Sequence, residues 1–349
     1  MAVSPRRDGR AAPETVPPDT AVSRRHRRLG DPVFRGATRT IALGLAGLLA
    51  LMVFVLAREG SKTFANLGLG FVTGRQWNPV TNQFGALPFI YGTLITSAIA
   101  IALAVPVAVG LALLLNERGT TWVRSVLAVF VDLLAAIPSV VYGLWALFVM
   151  LPVFDHHVEP FLRGTLGKVP VVGVLFQGST AGGDLFTAGV ILAIMILPIV
   201  TAISREVIAV VPTDLREAAK ALGATRYETV RMAVLPYARS GIVGATMLGL
   251  GRALGETIAV AMVVGNSLGI HTSLFSGGYT IPAIIANEFR EASGAGLHKS
   301  SLLALALLLM VIALIMAALS RLLIRRTAVS VGRVDVPEGP ESVAFRTAT

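Results

Sequence analysis

Six long apolar runs divide this chain, at approximately Thr40–Ala57, Pro88–Leu115, Val126–Leu151, Leu185–Ser204, Gly241–Val264 and Ser301–Leu323. Each reaches or nearly reaches the about 17–25 residues that a helix needs to cross a bilayer. The second and third are longer, which predicts tilt or extension beyond the lipid. In hydrocarbon every backbone N–H and C=O must bond within the protein, so only helices or closed barrels can span it, and runs this long and continuous predict helices. Charged residues make up 14% of the chain, against about 25% in soluble domains. No polar block is long enough for a separate soluble domain. The expectation is an all-α polytopic membrane protein with six transmembrane helices over 40–323. A disordered Arg-rich arm (1–39) precedes them and a tail (324–349) follows. The chain has 0 Cys, which excludes disulfides, thiol catalysis and Cys-ligated metals.

The basic residues set the expected orientation. Nine Arg fall in the first 39 residues, and six Lys or Arg fall between Arg205 and Arg239. Arg118 and Arg124 flank the loop after the second run, and Arg325 and Arg326 follow the sixth. The opposite side holds Arg58, Lys62, Arg75, Arg163, Lys168, Arg290 and Lys299. The positive-inside rule then puts both termini in the cytoplasm of a multi-pass inner-membrane protein. The arm's Arg clusters are read as topology determinants that contact anionic lipid rather than nucleic acid. A cleaved signal is not expected, because a long Arg-rich stretch precedes the first run and no A-x-A site follows it.

The most ordered polar stretch, LREAAKALGATRYETVRMAVLP (Leu215–Pro236), lies in the cytoplasmic loop 205–239. It parses as two short helices. Thr213 or Asp214 can cap the first, with Asp214 and Glu217 spaced as a capping box, and Gly223 suits the left-handed position that ends it. Thr225 and Glu228 make a T-x-x-E box for the second, and Pro236 is expected to stop that helix before the fifth span. Leu215, Ala218, Ala219 and Leu222 share one face of the first helix. That shallow face suits either docking to another surface or lying on lipid.

These residues resemble the cytoplasmic EAA loop of ABC-importer permeases: E-A-A, three residues, G, nine residues, I, any residue, L-P. Glu217, Ala218, Ala219, Gly223, Leu235 and Pro236 hold that spacing, and Ala233 departs from the usual Ile. The resemblance implies the type I importer (MetI-like) fold. It also implies that 214–223 is a coupling helix seated on a separate ATPase subunit. The stretches AAIPSVVYGLW, ILAIMILPIVTAISREV, GLGRALGETIAVAMVVGN and YTIPAIIANEF resemble phosphate permeases of the Pst system, and the last two favour the PstC type over PstA. That family implies a second permease subunit (PstA type), a pair of ATP-binding subunits (PstB type) and an extracytoplasmic phosphate-binding protein (PstS type). This chain would then bind no cofactor and catalyse nothing, with ATP used by its partner.

Arg252 and Glu256 interrupt the fifth run. A charge at the bilayer centre costs at least about 2.5–3.5 kcal/mol, and Arg252 lies roughly 16 Å along a helix counted from Gly241. Glu256, one turn on, is expected to pair with it, and Asp132 to reach it from a neighbouring helix. The three form either a structural ion network or a path for an oxyanion, to which Arg offers a fork of donors. The resemblance favours phosphate passage past Arg252, Glu256 and Asp132. Gly241, Gly244, Gly249, Gly251 and Gly255 permit close helix contact, while Pro106, Pro138 and Pro198 can kink their spans.

Other stretches are read as decoys. LFSGGYT (Leu274–Thr280) imitates an ATPase signature, but it lies on the outer side and no G-x-x-x-x-G-K-[ST] loop exists. DHHVE (Asp155–Glu159) has metal-like spacing but is read as solvated residues of an outer loop. His271 and His298 are read as loop residues, and Ser139 and Tyr142 as either path-lining or bonded to nearby backbone. An importer of another oxyanion remains the same-class alternative. A gradient-driven transporter would show more spans and inverted repeats. A membrane hydrolase would need a nucleophile motif, which is missing.

Overall fold

The computed structural model describes residues 30–327, except 119, 179–181, 293 and 295. Most of the expected arm, 1–29, and the tail beyond 327 therefore lie outside the described residues. The chain divides into two compact units, Met1–Met52 and Val53–Thr349.

The described part of the first unit is helical. It opens α1 (Gly30–Leu67), which begins ten residues before the expected span. Thr38 and Thr40 do not interrupt the helix, because their hydroxyls donate to the carbonyls of Phe34 and Gly36 one turn back. Every side chain from Pro32 to Met52 is exposed. Since that surface is apolar, it suits lipid.

The second unit contains the rest of α1 and a hairpin of β1 (Trp77–Asn78) and β2 (Gln83–Phe84). There follow α2 (Leu87–Leu113), α3 (Thr121–Ala136), α4 (Ser139–Lys168) and α5 (Leu185–Ala209). Next come α6 (Thr213–Ala221), α7 (Leu235–Gly255) and α8 (Ile258–Val263). The unit closes with α9 (Ile281–Glu288) and α10 (Leu297–Thr327).

Among the described residues, five helices are long and apolar enough to cross a membrane: Pro32–Leu67, Leu87–Glu117, Ser139–Lys168, Leu185–Ala209 and Leu297–Arg325. The chain is an all-α multi-pass membrane protein, but two of the six expected spans are interrupted. Val126–Leu151 is two helices, because Pro138 has no N–H to give and Ile137 before it is extended (ψ 128°). The Leu134 carbonyl four residues before Pro138 is met instead by the Tyr142 hydroxyl at 2.8 Å. Beyond the break, α4 runs on through π turns at Ala146–Met150 and Phe154–Val158. DHHVE is therefore helical, and Glu159 is fully buried rather than solvated. The run Gly241–Val264 is likewise split into α7 and α8 at Glu256–Thr257.

α5 is the central helix: 61% of its most apolar window is buried, against 17% for α10. It packs against α2 and α7. α2 presents Ala100, Ala104, Ala108 and Ala112, each at most 1% exposed, at every fourth position. Small side chains at that spacing form one stripe and let the helix backbones approach. A second core gathers Trp77, Phe84, Phe89 and Tyr279 beneath the hairpin. There Glu288 accepts from Trp77 Nε1 at 2.9 Å and bonds His298 Nε2 at 2.8 Å. His298 is thus a paired helical residue of α10, whereas His271 does lie in a loop.

The α2 contact with the chain before α9 generates a prediction. A Cβ on Gly92 would lie 2.1 Å from the Tyr279 carbonyl oxygen, while one on Gly110 would meet nothing within 4 Å. Gly92→Ala should lower the melting temperature of the purified protein, by a loss of about 1–3 kcal/mol. Gly110→Ala should be neutral, or more stable by up to about 1 kcal/mol. Equal melting of both variants would contradict this packing.

Candidate functional site

The loop after α5 is built by local chemistry that the sequence announces. α6 ends in a Schellman motif. Gly223 sits at φ +87°, its N–H donates to the Lys220 carbonyl at 2.9 Å, and Ala224 N–H donates to the Ala219 carbonyl at 3.1 Å. The next turn, Arg226–Thr229, opens with the expected box. Glu228 N–H donates to Thr225 Oγ1 at 3.3 Å, and Thr225 N–H donates to Glu228 Oε2 at 2.8 Å. Those Thr225 donors hold the Glu228 carboxyl below its ordinary range.

Two local expectations are corrected. Pro212 is the N-cap of α6 and no side chain caps it, so Thr213 and Asp214 fall inside the first turn. Asp214 can still act there on the helix dipole. Pro236 does not stop the second helix but sits in the first turn of α7. The π turn Val230–Val234 leads directly into α7, with Leu235 N–H donating to the Val230 carbonyl. That widened turn accommodates a proline whose ring would otherwise press on the carbonyl four residues back.

No residue of α6 is buried. Leu215, Glu217 and Ala218 are exposed, Ala219 is half-buried, and Leu222 is 90% exposed. The apolar face is therefore uncovered in the single chain. α6 is nonetheless anchored from behind by Arg216, which the sequence reading passed over. Its Nε donates to Glu117 Oε1 at 3.1 Å, Nη1 to the Val211 carbonyl at 2.8 Å and Nη2 to the Ile208 carbonyl at 2.9 Å. Glu117 lies in the π turn Leu114–Arg118 that ends α2. In the same turn Asn116 Nδ2 donates to the Arg205 carbonyl of α5 at 2.8 Å. One guanidinium thus ties α6 to the ends of both central helices. The available signal was a lone acid ending span two and an Arg just before the E-A-A triplet.

The expected intramembrane charges lie at the two breaks. Arg252 occupies the last turn of α7, exposed, and Glu256 follows in extended conformation (ψ 129°). The helix ends between them, so they do not stack on one face. Among the described residues, Arg216–Glu117 and His298–Glu288 form ion pairs within 4.0 Å, and Arg252 is in neither. Glu256 Oε1 instead accepts from Ala259 N–H at 3.4 Å, across the break. Asp132 is exposed on α3 and is not brought to Arg252 as a partner. α8 packs on the start of α4, where a Cβ on Gly143 would lie 2.9 Å from Ala259 Cα. Of the expected glycine contacts, Gly241 and Gly249 meet Val207 and Val200 of α5, whereas Gly251 and Gly255 have nothing within 4 Å. The LFSGGYT stretch is a structural loop, with Leu274 N–H donating to the Leu175 carbonyl and Gly278 N–H to Val264.

Severing the anchor should uncouple α6 from the helices without altering its outer face. Loss of hydrogen bonds to a charged group costs about 1.5–3 kcal/mol, which is roughly tenfold or more in a coupled equilibrium. Arg216→Gln should therefore raise amide hydrogen exchange across α6 by about tenfold while α2 and α5 keep theirs. Unchanged exchange would remove Arg216 from the linkage.

Residues 104–329 match the family model described as binding-protein-dependent transport system inner membrane component. The chain is 44% identical over 301 residues to the phosphate transport system permease protein PstC of Pasteurella multocida, covering 86% of this chain and 93% of that one. It is 46% identical to the PstC of Mesorhizobium japonicum, covering 85% and 91%. It is 42% identical to PstC 2 of Mycobacterium tuberculosis, covering 83% and 91%. Among solved structures, a chain of a bacterial alginate ABC transporter, in complex with its alginate-bound periplasmic protein, aligns with a TM-score of 0.54 at 18% identity. That alignment covers 86% of this chain and 98% of that one, and so speaks to the fold.

Proposed function

From the premise that this chain belongs to the binding-protein-dependent transport inner-membrane components, in their PstC branch, we propose that it is the membrane subunit of an ATP-driven importer of inorganic phosphate. A binding protein outside the membrane delivers phosphate. A second permease subunit of PstA type completes the pathway, and a pair of PstB-type ATPase subunits supplies the drive from the cytoplasm. ATP chemistry belongs to those partners. Both termini and the loop 205–239 face the cytoplasm, as the distribution of basic residues supports.

The observation that carries this reading is the bare apolar face of α6, held from behind by Arg216. Glu217, Ala218, Ala219 and Gly223 form or end the docking surface, while Leu235 and Pro236 lead it into α7. Closure of the ATPase pair pushes α6, and Arg216 passes the displacement to α2 and α5. Arg252 is the cation that meets phosphate oxygens, Glu256 steadies the break beside it, and Asp132 adds negative charge that limits how tightly the anion is held. Arg suits this task because its guanidinium stays charged and offers paired donors to an oxyanion.

Two measurements test the parts separately. A chain with 0 Cys accepts a unique thiol, so Ala219→Cys should crosslink to the ATPase subunit and to no extracytoplasmic protein. Arg252→Gln should assemble normally and lose phosphate uptake. Uptake at the wild-type rate by that variant would sink the role of Arg252, and crosslinking only to an outer protein would invert the topology.

A further inference from the structure

The DHHVE stretch brings together groups that transport does not use. Asp155 and Glu159 lie four residues apart on α4, and Asp184 is the N-cap of α5. One carboxylate oxygen from each of the three lies within 4.8 Å of the others. Glu159 is 0% exposed, and neither of its oxygens meets a donor. A buried carboxylate with no donor is strongly disfavoured. Thr187 N–H and Oγ1 donate to the two oxygens of Asp184 at 2.8 and 2.9 Å. Arg163, one turn beyond Glu159, gives Nη2 to the Gly178 carbonyl at 2.6 Å, and its buried Nε has no acceptor.

We propose that Asp155, Glu159 and Asp184 bind one hard divalent cation of the calcium type. Charge supports it: three carboxylates and the Arg163 guanidinium sum to −2, which a divalent ion cancels. Donor chemistry supports it as well. The set is all oxygen, within 4.8 Å of one another, and Ca²⁺ takes oxygen ligands in flexible geometry where Mg²⁺ demands a near-ideal octahedron. Each Asp184 oxygen accepts one bond and keeps a further lone pair. Asp155 is half-buried, which leaves a route of entry and room for water ligands. The π turn Phe154–Val158 carries Asp155, and such turns recur at functional sites.

The ion would pin α4 to the start of α5. It would also reach α8, because Asp184 N–H donates to the Val263 carbonyl at 2.9 Å. It is a clamp on the helices that flank the broken fifth span. Neither cargo nor orientation enters this inference.

The test uses the assembled importer, stripped with chelator, free of nucleotide and phosphate, and titrated with Ca²⁺ by calorimetry alongside thermal melting. One saturable Ca²⁺ site per copy of this chain is expected, with a melting temperature that rises on binding and returns with chelator. Asp155→Asn, a change at a half-buried position, should weaken that site at least about tenfold, and Glu159→Gln should abolish it. No such site in the wild type, or one unchanged in both variants, overturns the proposal. So does melting that follows pH but ignores Ca²⁺, since Glu159 and Asp184 would then share a proton.

Discussion

The constraint on which this structure depends is that a backbone surrounded by hydrocarbon cannot leave its polar groups open. Most of the chain obeys by running as continuous helix. Where it departs, a specific group makes the repair. Pro138 withdraws a donor from Leu134, and the Tyr142 hydroxyl replaces it. Pro236 would break the ladder at the entry to α7, and a π turn absorbs the extra width. The helix stops at Gly255, and the Glu256 carboxylate reaches forward to Ala259 N–H. These repairs lie on α3, α4, α7 and α8, while the central helices α2 and α5 carry Pro106 and Pro198 within unbroken helix. The bundle thus has a continuous core and articulated neighbours.

That division gives the anchor at Arg216 its meaning. Its three bonds end on the π turn that closes α2, on α5 and on Val211 just beyond α5, and α2 and α5 are joined by the alanine stripe and close to rigid by packing. A displacement of α6 is therefore delivered to the stiff part of the molecule rather than dissipated in a loop. The articulated helices pack around that part and can respond to it. Tight approaches such as Gly241 against Val207 and Gly249 against Val200 make α7 sensitive to any shift of α5.

Features set by local chemistry were legible in the sequence. Run length marked the continuous spans, T-x-x-E marked the turn at Arg226–Thr229, and Gly223 marked the end of α6, because each depends on residues a few positions apart. Features set by distant partners were not. His298 looked like a loop residue because its acceptor Glu288 also serves Trp77, which is 211 positions from Glu288. DHHVE looked solvated because Asp184 was not visible beside it. The pairing of Arg252 with Glu256 assumed that an apolar run is an unbroken helix. Gly255, Glu256 and Thr257 end that helix, and hydropathy carries no record of such a stop. Pro138 was read as a kink, and the extended Ile137 before it makes it a break.

Arg252 sets the last step. A guanidinium near the middle of an apolar run is costly unless something solvates it, and neither Glu256 nor Asp132 does so within this chain. On the proposed reading, the missing solvation is the function. A cation fully neutralised by its own chain would have no reason to prefer an anion in transit, and one fully buried could not release it. An exposed Arg at the mouth of a helix break, paired with neither acid, would be free to take up an oxyanion and pass it on. On that same reading one permease chain would make half a pathway, and a second subunit would supply the facing wall.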